Sequence, residues 1–102
     1  VPIYQTAHYQ VMPEGVPAVT EAIAAFVAYV AANEPGTLMY AAWQQQDDPT
    51  RFVHLFTFAD EAAHEAHGAS AAVRAFEAVY RPVLAAGPVV FTDYRLIAAN
   101  QR

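Results

Sequence analysis

The hydrophobic and polar positions of this chain change period several times, and each change marks an element. Between Pro2 and Met12 the two classes alternate. Ile3, Ala7, Tyr9 and Val11 share one face, and Tyr4, Thr6, His8 and Gln10 the other. A period of two predicts a strand whose polar face is free to line a cavity. Pro13, Gly15 and Pro17 then mark a turn and a helix start. From Val16 to Ala32 the apolar residues Val19, Ile23, Phe26, Val27 and Val30 recur at helical spacing. Asn33-Glu34-Pro35-Gly36 ends that helix, because proline cannot continue it and glycine turns the chain.

Thr37 to Gln46 reads as a second strand, apolar on both faces and therefore expected to be covered on both sides. Asp47-Asp48-Pro49-Thr50 is a turn. In the third strand, Arg51 to Ala59, Phe52, His54, Phe56 and Phe58 alternate with Val53, Leu55 and Thr57. A hairpin with the second strand is the simplest pairing. Asp60 is a good cap for a short helix through His67, with Gly68 closing it. Ser70 caps a further helix expected to reach Ala85, with Val73, Phe76, Val79, Tyr80, Val83 and Leu84 as its buried stripe and Pro82 as a kink. Gly87-Pro88 breaks it. Val89 to Ala98 is the last strand, and Asn100 to Arg102 a polar tail.

The order strand, helix, strand, strand, split helix, strand is the βαββαβ pattern of the ferredoxin-like α+β fold. Residues 1–102 make one domain, with neither a repeat nor a linker. Four antiparallel strands with helices on one face leave the other face bare, and water does not tolerate a large apolar sheet face. Composition sharpens this. The hydrophobic share is 56%, and thirteen residues (Trp 1, Tyr 6, Phe 6) carry large rings. That is more than one small core needs, so a second buried surface is expected: a subunit interface or a ligand pocket.

Charge removes some partners. Five arginines face ten acids, for a net charge of −5, and no basic stripe exists for nucleic acid or an anionic membrane. The most apolar run, Ala18 to Ala32, is interrupted by Thr20 and Glu21 and reads as a helix, not a membrane span. Without cysteine, neither a disulfide nor thiolate chemistry is available. The absence fits the cytoplasm. The chain starts at Val1, so removal of a leader stays open.

Three segments together resemble one family. They are Glu34-Pro35-Gly36-Thr37-Leu38-Met39-Tyr40, then Asp48-Pro49-Thr50-Arg51-Phe52-Val53, then Asp60-Glu61-Ala62-Ala63-His64-Glu65-Ala66-His67 followed by Ser70. Taken with the element order, this run resembles the antibiotic biosynthesis monooxygenase (ABM) family. The resemblance implies a dimeric α+β barrel in which two sheets pack face to face and each protomer holds a pocket. It also implies oxidation of phenolic or quinol substrates by O₂ without metal or flavin. Haem-cleaving relatives need a histidine on the long helix and a tryptophan on the short one, and neither is found at the matching places here.

Five residues are candidates for the site. His67 stands where the family commonly has histidine. An unperturbed imidazole titrates near pH ~6.5, which suits it to take a phenolic proton; the plainer reading is a helix-end histidine serving backbone carbonyls. His8 lies on the polar face of the first strand, at a position where haem-degrading relatives carry asparagine, and is the second candidate base. His54 sits in a row of phenylalanines as a ligand contact or a buried hydrogen-bonded residue. Trp43, the only tryptophan, stacks on a flat substrate or belongs to interface core. Phe56 is a wall of the pocket. His64-x-x-His67 lacks the four-residue spacing of zinc helices, so no metal and no other cofactor is expected. The four glycines are isolated, so there is no phosphate loop. The expected function is a cofactor-independent monooxygenase acting on an aromatic small molecule as a homodimer. The alternatives are a dimeric binding or stress-related domain without turnover, and an isomerase or decarboxylase on the same barrel.

Overall fold

The structure, a computed structural model, describes residues 1–100; Gln101 and Arg102 of the expected tail lie outside the described residues. Four strands and three helices follow in the order β1 (Ile3–Val11), α1 (Val16–Asn33), β2 (Thr37–Gln44), β3 (Arg51–Phe58), α2 (Glu61–Gly68), α3 (Ala71–Tyr80) and β4 (Leu84–Tyr94). Short 3₁₀ turns at Pro13–Gly15 and Arg81–Val83 lead into α1 and β4. The sheet is antiparallel in the order β2-β3-β1-β4. This is the ferredoxin-like arrangement expected from the sequence.

Local chemistry sets the boundaries. The Asp60 carboxylate accepts from the Ala63 amide at 2.9 Å, and the Ser70 hydroxyl from the Val73 amide at 3.2 Å, so both caps act as their residue types predict. In the β2–β3 turn, Asp48 accepts from the Thr50 hydroxyl and amide and from Arg51 Nε. Those bonds, the Thr50 hydroxyl first, hold its carboxyl below the ordinary range.

The chain departs from expectation after α3. That helix ends at Tyr80, and Val83 and Leu84 are not helical. Pro82 lies in the 3₁₀ turn, and Leu84 pairs with Val11 at the start of β4. Val83 and Leu84 still pack on the core, as the stripe required, but from a turn and a strand. Gly87-Pro88 therefore interrupts a strand instead of breaking a helix. Ala86 and Gly87 take φ of 59° and 101°, and the β1–β4 register slips between His8 and Gln10. This is a bulge, where a proline without an amide donor costs the ladder little. β4 stops at Tyr94, not Ala98: its last pair with β1 is Tyr4–Tyr94, one residue from that strand's start at Ile3. Gly68 is the last residue of α2 and not a left-handed cap, since among the described residues only Ala86 and Gly87 have positive φ.

One helix is more apolar over its length than the sequence reading allowed. Pro13–Asn33 has the length and apolarity of a membrane span, because Thr20 and Glu21 do not outweigh its alanines and valines. In the fold, its stripe Val19, Phe26 and Val30 is buried against the sheet and α3.

Alternation divides the sheet. The helix-side face carries Ala7, Tyr9 and Val11 of β1 and Phe52, His54, Phe56 and Phe58 of β3, all buried. The other face carries His8, Val53, Leu55, Met39 and Trp43, with Val90 and Tyr94 of β4. Within the single chain β2 is covered on one side only: Met39 and Trp43 on its other side are exposed, and the second cover that its apolar faces imply does not come from this chain.

Candidate functional site

Between the helix-side face of the sheet and the three helices lies a cavity of about 300 Å³. That is at the lower end of the ~300–1,000 Å³ of small-molecule sites. Its walls are mostly aromatic, with Phe26, Phe56, Phe58 and Phe76 prominent. Beside the side chains of Gln5 and Glu77, two polar groupings line it.

The first is the C-terminal turn of α2. Gly36 packs so tightly on this helix that a Cβ there would stand 2.7 Å from the Ala63 Cβ. The Gly36 carbonyl also accepts from the Ala59 amide at 2.8 Å. This close approach brings the turn after α1 against α2, so that Glu34 meets His67. The Glu34 Oε1 to His67 Nδ1 distance is 2.7 Å, and both side chains are 12% exposed. The Thr37 hydroxyl donates to the same oxygen at 2.8 Å, while Glu34 Oε2 is buried without a partner. An ionised carboxylate only accepts, so Nδ1 carries the proton. A neutral His67 then has its lone pair on Nε2, which has no protein partner among the described residues. The ring packs against Phe58 at 5.1 Å, Phe26 at 5.5 Å and Tyr40 at 5.8 Å between centroids. A histidine whose tautomer is fixed by a carboxylate at an apolar cavity has the geometry to take a proton through its other nitrogen.

The second is His54, 1% exposed on β3. Tyr9 and Tyr40, from the flanking strands β1 and β2, place their hydroxyls 2.7 Å from its Nε2 and Nδ1. Burial lowers the His54 pKa to about 4, so the ring is neutral at physiological pH. Burial, then the neighbouring hydroxyls, raises Tyr9, and burial first also raises Tyr40. Both phenols stay protonated.

The sequence candidates separate accordingly. His67, His54 and Phe56 meet at this cavity, with Phe56 stacked under Tyr40 at 5.1 Å. His8 and Trp43 do not join them. Both sit beside Val53 on the other face of the sheet, where strand parity puts them, and Trp43 is 58% exposed. Within one chain, Trp43 and Phe56 cannot grip the same ring, which corrects the expectation that they share a substrate. His64 takes Glu61 at 3.2 Å and packs on Phe58 at 5.1 Å, so it borders the same cavity without joining the His67–Glu34 pair. Among the described residues, no three His, Asp or Glu side chains gather as a metal site. Sequence reasoning passed over Glu34, Tyr9 and Tyr40. Glu34 stands in the Glu-Pro-Gly turn already singled out, and Tyr9 shares the strand face of the core residues Ala7 and Val11. Nothing local marks Tyr40 as more than packing.

A ferredoxin-like sheet with a histidine-bearing aromatic cavity under its helices defines a class of small α+β domain. Within that class, the antibiotic biosynthesis monooxygenase family model matches residues 2–79, and the chain belongs to this family. Solved structures agree on the fold. A Bacteroides thetaiotaomicron protein that carries the family's name superposes with a TM-score of 0.89 at 17% identity, over 99% of this chain and 94% of that one. Rv0793 from Mycobacterium tuberculosis gives 0.85 at 18%, over 99% and 100%. PA3566 from Pseudomonas aeruginosa gives 0.82 at 24%, over 95% of each. No curated protein matches the sequence significantly.

Proposed function

We propose that this family member is a cofactor-independent monooxygenase in which His67, held by Glu34, deprotonates a phenol or quinol bound in the aromatic cavity. The observation that carries this reading is the 2.7 Å Glu34–His67 contact at the cavity wall, which leaves Nε2 as the unengaged base. Proton removal makes the substrate electron-rich enough to pass one electron to O₂. The radical and superoxide then combine at a substrate carbon. O–O cleavage leaves one oxygen there as a carbonyl and releases the other as water, so both reducing equivalents come from the substrate. Apolar walls keep bulk water from the intermediate. The cavity volume suits one or two rings. A second copy covers the outer sheet face, where Trp43, Met39, Val90 and Tyr94 are exposed.

O₂ uptake with a panel of hydroquinones and naphthols tests the activity. Uptake that persists with chelator and is lost in His67→Ala supports it; no uptake across the panel sinks it. The same dyad suits an isomerase or decarboxylase, which would turn over without O₂. Sedimentation of Trp43→Arg tests the pairing, with a dimer-to-monomer shift expected.

A further inference from the structure

The cavity has a second polar group that proton abstraction by His67 does not use. Tyr9 and Tyr40 both bond to His54, and the protons of that triad can be counted. A neutral imidazole has one N–H and one lone pair. One hydroxyl must donate to the ring, and the other must accept from it. The accepting hydroxyl keeps its own proton uncommitted, and neither oxygen has a second protein partner among the described residues. Protonating the ring would not remove the surplus, because a cationic imidazole donates at both nitrogens and frees both hydroxyl protons. In either state the triad has at least one O–H to spare, in a cavity walled mainly by aromatic and aliphatic side chains, with Gln5, His64 and Glu77 among its other polar liners. A buried donor without an acceptor is costly, so such a site favours a ligand that supplies one.

We propose that the Tyr9–His54–Tyr40 triad is a ligand-binding site for a carbonyl oxygen, so that the cavity selects substrates with an acidic hydroxyl at one end and a ketone or quinone oxygen at the other. This rests on the cavity being the substrate site. The hydroxyl faces His67 and the carbonyl faces the triad. Tyr40 borders both ends: its ring centroid lies 5.8 Å from that of His67 and 5.6 Å from that of His54. Swapping the imidazole proton between Nδ1 and Nε2 exchanges which tyrosine is the donor, so the triad can present either hydroxyl to the ligand.

The test compares two probes that differ by one oxygen, 6-hydroxy-1-tetralone and 5,6,7,8-tetrahydro-2-naphthol. Equilibrium binding to the full chain is measured anaerobically by calorimetry. The wild type should prefer the ketone by about five- to tenfold, the range of one neutral hydrogen bond. The preference should disappear in Tyr9→Phe/Tyr40→Phe and persist in His67→Ala, where oxidation is lost. An infrared measurement on wild type needs no variant: the carbonyl stretch of the bound ketone should move to lower wavenumber. An unshifted stretch overturns the proposal, as does a preference that survives in the double variant. Failure of both probes to bind wild type overturns it too. Ketone selection without any O₂ uptake would leave the triad's role standing and remove only the oxygenase reading.

Discussion

The two faces of this one sheet are built from alternate residues of the same strands, yet they differ in almost every physical respect. On β3, Phe52, His54, Phe56 and Phe58 point to the helices and are nearly inaccessible, while Val53 and Leu55 on the reverse are only partly covered. On the inner face His54 bonds to two tyrosines and His67 to Glu34, whose second oxygen is buried without a partner. The outer face exposes Trp43, Met39, Val90 and Tyr94 and leaves the buried Thr6 hydroxyl without a partner. One face is packed under the helices of the chain and lines a partly open cavity; the other is bare within the chain. Desolvated, oriented polar groups lie on the first, and exposed apolar area on the second.

The largest contrast should appear in turnover. His67→Ala should lower quinol oxidation by about 10²–10⁴-fold, the usual contribution of a positioned base, whereas His8→Ala on the outer face should change it by less than about threefold. Oxygen-electrode rates decide, and a larger loss in His8→Ala would reverse the assignment of the faces. Stability comes next. Phe58 is fully buried, so Phe58→Ala should cost about 3–5 kcal/mol in denaturant titrations. Leu55→Ala, on the less covered side of the same strand, should cost clearly less.

Acid should act through the inner face. His54 titrates near 4 in the fold and near ~6.5 in the unfolded chain. As pH falls below ~6.5, the unfolded state takes up a proton that the folded state refuses, and stability falls until both are protonated near pH 4. Over that window the wild type should lose roughly 3 kcal/mol more than His54→Gln. Equal pH dependence of the two unfolding free energies would show that His54 is not buried neutral. The smallest effect concerns Thr6. Replacing an unsatisfied buried hydroxyl with an isosteric methyl is neutral or favourable, so Thr6→Val should raise Tm slightly, by up to about 1 kcal/mol in stability. A drop accompanied by weaker self-association would mean that a second copy supplies the hydroxyl's partner.

Much of the fold was legible because its signals are local. The period of two in β1 and β3, the helical stripe of α1, and the caps Asp60 and Ser70 each depend on residues a few positions apart, and the structure keeps all of them. The exception was the end of α3. The run from Val73 to Leu84 is apolar at helical spacing, but Pro82 and pairing with Val11 draw its last residues into a turn and a strand. Burial was foreseeable there; conformation was not, since a core-facing residue satisfies the pattern from either element.

The site divides along the same line. The sequence by itself determined the element order and the family, and His67 and Glu34 both fall in the segments that carry the resemblance. Tertiary structure alone decided that Glu34 reaches His67 across thirty-three residues, through the close contact of Gly36 with Ala63. It alone decided that Tyr9 and Tyr40 converge on His54 from flanking strands, and that His8 and Trp43 face away from all of these. The physical reason is that strand parity is written in the sequence, but which parity meets the helices, and which residues on neighbouring strands stand side by side, follows from register and packing between distant segments.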